Sequence, residues 1–375
     1  MKTPRTPAAA LRLAPTLISA LVLAAALVGC EQDAATLAKW VDNSLQGGRL
    51  AEAERYLARL KARDGGGRRF LHADAEVKWK KRDFAGSEAG FKAALEVGRG
   101  DKATTLRLHF RLGLMLHEAG RFADAESEFA GVAKFEPGNV AALVWQGRAA
   151  ADATRYEAAR QVYDAALRID KNHLEARTDR VRCLIALGDL KAASAELDWL
   201  RERAPTDAWV RVLDGMVDQR KGSKAGLEDA EKSFRKAWEL QKRTAFPHVA
   251  LADFLLGQGK VDEAAGVLLG VPRKHAEAPG VLLRRGKLAR MKGDRAEATR
   301  LLEQALKECP REPVGPKWPD PARIDFTPRD LREAIAAELK ALGPGARDPG
   351  QAAPASGPAA AASRPAAPAA GAARR

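Results

Sequence analysis

The sequence predicts an all-α protein made of stacked helix pairs, and three observations support that fold class. First, small and aromatic residues recur with a period of 34 residues, most regularly in segments 106–139 and 140–173. Second, apolar residues within each period lie three and four positions apart, which is the spacing of one helix face. Third, each period has a turn residue near its middle, so it would hold two antiparallel helices. Because one such pair cannot bury its apolar face alone, the pairs are expected to stack around a continuous core.

The period can be followed through eight units that together span residues 34–312. Position 15 of each unit is the predicted turn, and it is glycine in six units, Arg82 in the second and Thr154 in the fourth. The sixth unit is three residues longer, because of an insertion within KGSKAGLED at 221–229. The units are 34–67, 68–101, 106–139, 140–173, 174–207, 208–244, 245–278 and 279–312.

The segment LRLHFRLGLMLHEAGRFADAESEFAGVAKFEPGN, residues 106–139, resembles the tetratricopeptide repeat, a pair of antiparallel helices. The resemblance implies a right-handed superhelical solenoid of about eight helix pairs. Small residues at positions 8 and 20 would let the two helices approach closely, and a proline at position 32 would end the second helix. The matching residues, counted from Leu106 as position 1, are Leu112, Gly113, Gly120, Phe122, Ala125, Phe129 and Pro137.

Residues 1–29 have the anatomy of a secretory signal peptide. Lys2, Arg5 and Arg12 form a basic head, which is followed by an uncharged run from residue 13 to residue 29. The stretch LVGC at 27–30 resembles the lipobox of bacterial lipoproteins. That resemblance implies cleavage before Cys30, acylation of Cys30 with chains such as palmitate, and a short lipidated tether at 30–33. An ordinary signal peptide with a chance cysteine and an uncleaved anchor are the alternatives.

The expected location is a bacterial membrane, with the protein facing the periplasm. Three acyl chains on Cys30 would exceed the two signals that stable anchoring requires. In such lipoproteins an aspartate after the cysteine favours retention in the inner membrane, and here that residue is Glu31. The outer membrane is therefore expected more than the inner one.

Two further segments follow the repeats. Residues 313–343 begin with a proline-rich stretch and continue into a helix that Thr327 can cap. Leu331, Ile335 and Leu339 give this helix one apolar stripe, so it is expected to cover the open end of the last repeat. Residues 344–375 consist mostly of Ala, Pro and Gly, and are expected to form a disordered tail.

The charge is strongly basic, with 63 Lys and Arg against 49 Asp and Glu and a formal net charge of +14. Loss of residues 1–29 would remove three bases and no acid, which lowers the net charge to +11. An exported chain meets little nucleic acid, so the acidic partners to consider are phospholipid head groups, anionic polysaccharides and acidic proteins. The alternative is that the basic charge reflects a general usage of Arg and has no binding role. Cys183 and Cys309 are too few for a disulfide framework and are interpreted as small core residues.

No reactive motif indicates an enzyme. The chain lacks HExxH, a glycine-rich phosphate loop and G-x-S-x-G, and its six histidines show no i,i+4 pairing. We therefore expect no catalytic residues, no metal, no cofactor and no small-molecule substrate. The alternative is a cell-wall hydrolase or other envelope enzyme that uses groove carboxylates such as Glu76 and Asp253.

The first helix of each tetratricopeptide repeat lines a concave groove, mainly through positions 2, 5, 9 and 12. The resemblance thus implies a scaffold that binds proteins of an envelope assembly or export complex, with an exopolysaccharide or cell-wall role as the first hypothesis. Trp209 and Phe246 could instead be core residues. The candidate partner-binding residues are Trp79, Phe110, Arg148, Arg182, Trp209, Met216, Phe246, Lys287 and Arg290.

Overall fold

The computed structural model describes residues 33–97, 101–309 and 328–343. These residues form seventeen α-helices and one short 3-10 helix, and no strand occurs within them. The predicted signal peptide, Cys30, the proline-rich stretch up to Thr327 and the tail lie outside the described residues. The helices are α1 (Ala34–Gln46), α2 (Leu50–Asp64), α3 (Arg68–Lys80), α4 (Phe84–Val97), α5 (Lys102–Glu118), α6 (Phe122–Phe135), α7 (Val140–Asp152), α8 (Tyr156–Ile169), α9 (Leu174–Leu187), α10 (Leu190–Arg203), α11 (Ala208–Lys221), α12 (Lys224–Leu240), α13 (Ala245–Gly257), α14 (Val261–Leu269), α15 (Pro279–Met291), α16 (Arg295–Glu308) and α17 (Pro328–Ala341).

The first sixteen helices form eight pairs, and this confirms the predicted solenoid of helix pairs. All eight predicted turn residues adopt the left-handed conformation, with φ between 61° and 81°. Glycine adopts this conformation without strain, whereas Arg82 and Thr154 each carry a Cβ that disfavours it. The turn positions therefore identify the repeat frame residue by residue.

Within a pair, the glycine at position 8 allows close contact with the residue at position 24. A Cβ placed on Gly147 would lie 2.6 Å from the ring of Tyr163, and one on Gly113 would lie 2.8 Å from the ring of Phe129. The sixth repeat has the same contact between Gly215 and Phe234, and the eighth has it between Gly286 and Leu302. The two helices of these repeats can approach as they do only because no side chain intervenes.

Helix α17 covers the end of the last repeat, as predicted. Ile335 is fully buried, and Leu331 and Leu339 are at most 7% exposed, in a cluster that includes Leu302 of α16. The buried residues of every hydrophobic cluster in the described ranges fall within the sequence from Leu37 to Leu342. The core is therefore formed by the repeats and α17 alone, as far as the structure describes the chain.

Three elements differ from the regular frame. Helix α5 begins at Lys102, four residues before the third unit, because Asp101 caps it by accepting a hydrogen bond from the Thr104 N–H. The inserted residues of the sixth unit lengthen α12 to 17 residues. Helix α14 ends after nine residues, since Gly270 and Pro272 follow it and proline cannot continue a helix. None of the helices in the described ranges is both long and apolar enough to cross a membrane.

Candidate partner-binding groove

The first helices of the repeats lie on the inner curve of the solenoid. Consecutive first helices such as α11, α13 and α15 contact one another, whereas second helices mainly contact the first helices beside them. A curved stack brings together the elements on its concave side and separates those on its convex side. The groove that the repeat register predicts is therefore formed by the first helices.

A cavity of about 410 Å³ opens in this groove between α11, α13, α15 and α17. Met216, Leu256 and Met291 provide the apolar wall, and the ion pair of Asp253 with Arg284 also lines the cavity. Lys287 and Arg290 provide two further bases. Three of the predicted partner-binding residues, Met216, Lys287 and Arg290, thus line one cavity. The structure brings them together although they belong to the sixth and eighth repeats.

Glu338 of the capping helix also lines this site, although no pattern in the sequence indicated it. Its carboxylate lies 2.9 Å from the Arg290 Nε and 3.9 Å from the Lys287 Nζ. Its side chain is 18% exposed, so the two bases face a carboxylate at the rim of the cavity. The capping helix therefore contributes to the site as well as covering the core.

Ion pairs cross three of the junctions between repeats at equivalent positions. The residue at position 9 of one first helix pairs with the residue at position 6 of the next first helix. The acid stands at position 9 in two of these pairs and at position 6 in the third. These contacts hold adjacent first helices together. Because the charged side chains are paired with one another, their charges are largely neutralised within the solenoid. The pairs are Glu76 with Arg111, Arg148 with Asp179, and Asp253 with Arg284.

Arg148 shows how such a pair changes the interpretation of a predicted site residue. Its Nε donates to Asp179 at 2.7 Å, its Nη2 donates to Glu175 at 2.9 Å, and its guanidinium lies 5.0 Å from the ring centre of Trp145. Burial raises the pKa of Asp179, and Arg148 opposes that shift. Arg182, in the next repeat, is partly exposed and lies 3.9 Å from the Asp152 carboxylate. Partner binding by either arginine stays a prediction.

The aromatic candidates are packed against the solenoid to different degrees. Trp79 is 8% exposed, and its Nε1 donates to Glu118 at 2.9 Å. Phe110 is partly buried and meets the ring of Phe129 edge to face, with centroids 5.3 Å apart. Both side chains therefore belong to the packing between repeats two to four.

Trp209 and Phe246 form another edge-to-face pair, with ring centroids 5.7 Å apart. Phe246 is 7% exposed, so the core interpretation describes it better than the groove interpretation does. Trp209 is partly buried and keeps some exposed surface. A role for this pair in partner binding stays a prediction.

Glu76 and Asp253, the two carboxylates of the enzyme alternative, are each held by an arginine. Burial acts to raise the pKa of Glu76, but hydrogen bonds from His72 and Arg111 outweigh it and hold the pKa below its ordinary value of 4.5. Asp253 accepts hydrogen bonds from the Nε and the Nη2 of the fully buried Arg284. A general acid requires the opposite environment, because burial without a cation keeps the proton on a carboxyl group.

Both cysteines of the described ranges are buried. Burial raises the pKa of Cys183 to about 12, so its thiol stays protonated and weakly nucleophilic. Cys309 is also buried, in agreement with the prediction that both cysteines are core residues. Within the part of the chain that the structure describes, no group of three or more His, Cys, Asp or Glu side chains could hold a metal ion.

Comparison with known proteins gives the same fold. Anaphase-promoting complex subunit 3 of Schizosaccharomyces pombe is 27% identical over 158 residues, which are 42% of this chain and only 23% of that protein. A tetratricopeptide repeat protein of Parabacteroides merdae superposes with a TM-score of 0.54 and 16% identity, covering 72% of this chain and 98% of that chain. A human IFIT1 dimer with PPP-AAAA gives a TM-score of 0.50 and 16% identity, over 88% of this chain and 76% of that one.

Two family models, both described as tetratricopeptide repeat, match the chain directly. One matches residues 150–213, and the other matches residues 72–134, 119–173 and 227–313. The matched segments follow the helix pairs from α3 to α16 and together cover more than half of the sequence. The chain therefore belongs to the tetratricopeptide repeat family.

Proposed function

We propose that this chain is an exported, lipid-anchored scaffold that binds a protein of an envelope assembly or export complex in the groove of its first helices. Tetratricopeptide repeat solenoids are typically non-enzymatic scaffolds, and their concave faces bind proteins. The observation that carries the proposal is the cavity between α11, α13, α15 and α17. Its apolar wall around Met216 and its two bases, Lys287 and Arg290, suit a large apolar side chain next to an acidic residue.

The anchoring part of the proposal rests on the LVGC stretch that ends at Cys30. In this proposal the protein faces the periplasm, at the outer membrane more than the inner one because Glu31 follows the cysteine. A basic scaffold at that place suits acidic partners. Exopolysaccharide export or cell-wall assembly is the first role to test.

No observation favours the hydrolase alternative. Glu76 and Asp253 lie five repeats apart, and each is paired with an arginine. A glycosidase needs two carboxyl groups on either side of one bond, less than about 10 Å apart. The scaffold is therefore the single function that we propose.

Site-specific photo-crosslinking in intact cells tests the groove. Benzoylphenylalanine in place of Met216 is expected to capture a discrete protein, whereas the same group in place of Lys232, on the second helix of that repeat, is not. Reversal of both bases with Lys287→Glu and Arg290→Glu should lower the Met216 yield by about tenfold or more, through repulsion of an acidic partner. Glu338→Gln should raise the yield, because it frees both bases. Equal capture from Met216 and Lys232, or no effect of the charge reversals, would contradict groove binding.

The anchor is tested separately by Cys30→Ser. The variant should keep the signal peptide as a larger precursor and lose palmitate labelling, while the natural chain sediments with the outer membrane in a density gradient. Unchanged mass and unchanged labelling in Cys30→Ser would refute the anchor and leave the groove result intact.

A further inference from the structure

Exposed apolar side chains concentrate at one edge of the solenoid. Antiparallel pairing places the last turns of the second helices and the first turns of the first helices at the same edge, which we term the anchor edge. Among the described residues, four exposed large apolar side chains end second helices, and Leu174 begins a first helix. At the opposite edge, Leu187 and Met291 are the only large apolar side chains of the described residues that are similarly exposed. The four helix ends and their exposures are Val97 at 57%, Phe135 at 63%, Ile169 at 48% and Leu269 at 81%.

The anchor edge also carries a cluster of bases next to the first helix. Residues 61–70, from the last turn of α2 to the first turn of α3, contain four bases and a single acid, and Lys61 and Arg69 are exposed. A hydrogen bond from Thr36 holds the pKa of Asp33 below its ordinary value, and the nearby charge of Arg69 adds to that effect. Helices α1 and α3 contact each other and, as first helices of consecutive repeats, run in the same direction, so the start of α1 lies close to the start of α3.

The same edge continues into the following repeats. The Arg68 Nη2 donates to the Thr105 Oγ1 at 2.9 Å, which joins the start of α3 to the start of α5. The ends of α4, α6 and α8 follow, with Val97, Phe135 and Ile169. The basic cluster and these three apolar side chains thus belong to four consecutive repeats on one side of the protein.

The lipid on Cys30 would bring this edge to the bilayer, and this step rests on the proposed function. Only two residues separate Cys30 from Asp33, where α1 is capped. Three extended residue steps span at most about 11 Å. An acylated Cys30 would therefore hold the start of α1 within about 11 Å of the lipid interface.

We propose that the anchor edge is a membrane-contact surface for anionic phospholipids. In this arrangement Lys61 and Arg69 bind head groups, while Phe135 and Ile169 enter the interfacial layer, where aromatic and aliphatic side chains are favourable next to bases. The contact would fix the orientation of the solenoid, so that its groove projects from the membrane.

Vesicle binding without the lipid separates this inference from the anchor. The probe is the chain from residue 30 onward with Cys30→Ser, which keeps every hydrophobic cluster of the described residues. It should co-sediment at low ionic strength with vesicles of equal parts phosphatidylglycerol and phosphatidylethanolamine, and not with phosphatidylcholine vesicles. Phe135→Ser with Ile169→Ser should lower the partition coefficient by about tenfold. Lys61→Glu with Arg69→Glu should lower it by a similar factor, about tenfold.

The opposite edge supplies matched controls. Leu187→Ser, and Lys80→Glu combined with Lys191→Glu, should leave the partition coefficient unchanged. An environment-sensitive dye on Phe135→Cys should brighten with anionic vesicles, whereas the same dye on Leu187→Cys should not; Cys183 and Cys309 are buried and should stay unlabelled.

Three results would overturn the proposal: no binding to anionic vesicles, equal losses in edge and control variants, or self-association that Phe135→Ser abolishes without any vesicle binding. Acylation of Cys30 in cells is measured independently. If Cys30 is acylated and the edge does not bind vesicles, only this inference fails.

Discussion

Gly147 offers the sharpest test of how each helix pair is packed. It occupies position 8 of the fourth repeat, and its Cα faces the ring of Tyr163, which is fully buried. The substitution Gly147→Ala adds one methyl group at this contact. The same substitution at Gly131, within α6, adds a methyl group that meets no other atom within 4 Å.

The expected magnitude follows from these distances. A methyl group on residue 147 would lie 2.6 Å from the Tyr163 ring, whereas carbon atoms at rest are about 3.5–4.0 Å apart. The ring must move by about 1 Å in a packed core, and such overpacking costs about 1–3 kcal/mol. Both variants gain about 1 kcal/mol from replacing glycine in a helix. That gain cancels in the comparison, so Gly147→Ala should be less stable than Gly131→Ala by about 1–3 kcal/mol.

Urea unfolding followed by circular dichroism measures this difference. Gly131→Ala should raise the midpoint relative to the natural chain, and Gly147→Ala should lie clearly below Gly131→Ala. Combining Gly147→Ala with Tyr163→Leu should cost less than the sum of the two single changes, since the smaller side chain leaves room for the methyl group. Equal stabilities of the two alanine variants would refute close packing between positions 8 and 24.

Two further predictions concern ionisation and the cap. Because the folded pKa of Glu76 is depressed, its contribution to stability is present above about pH 4.5 and is lost as the pH falls through the folded pKa. In Glu76→Gln, the free energy of unfolding should therefore fall less steeply as the pH is lowered below about pH 4.5. Urea unfolding at several pH values measures this, and the same pH dependence as in the natural chain would contradict the prediction. Leu339→Ala should leave a cavity beneath α17 and cost about 2–5 kcal/mol, with faster hydrogen exchange in α16. Lys340→Ala, on the exposed side of α17, is the control, and equal exchange in both variants would rule out a packing role for the cap.

Most of the fold could be predicted because its signals are local. Each repeat needs a left-handed turn residue at position 15, some repeats also need a glycine opposite a ring at position 8, and each of these needs concerns one position only. The 34-residue frame therefore located all eight turns. The start of α5 could not be predicted from the frame, because Asp101 extends that helix beyond the usual first position. The end of α14 depends on Gly270 and Pro272, which override the repeat pattern. Periodicity therefore locates helix pairs better than it locates their ends.

The site was predicted less completely, because orientation within a groove depends on the neighbouring repeat. Position 9 identified Arg148 as a groove residue, but its charge is paired with Asp179, 31 residues later. A search for opposite charges at positions 9 and 6 of consecutive repeats would have found this pair in the sequence. No comparable rule predicts Glu338, which lies 48 residues beyond Arg290 in a helix outside the period.

The ion pairs at positions 9 and 6 also restrict the order in which the repeats can be stacked. Their polarity differs between junctions, so exchanging repeats would bring like charges together, for example Glu76 against Asp179, at a cost in stability. The pairs thus favour one order of repeats. Where a pair occurs, its two charged side chains bind each other. At the junction of repeats six and seven the equivalent residues are Met216 and Ala250, which cannot form such a pair, and both line the cavity. The cavity therefore begins at a junction without such a pair and extends to the next junction, where the Asp253–Arg284 pair forms part of its wall. Its apolar surface at Met216 and Ala250 is the physical reason to expect a partner there.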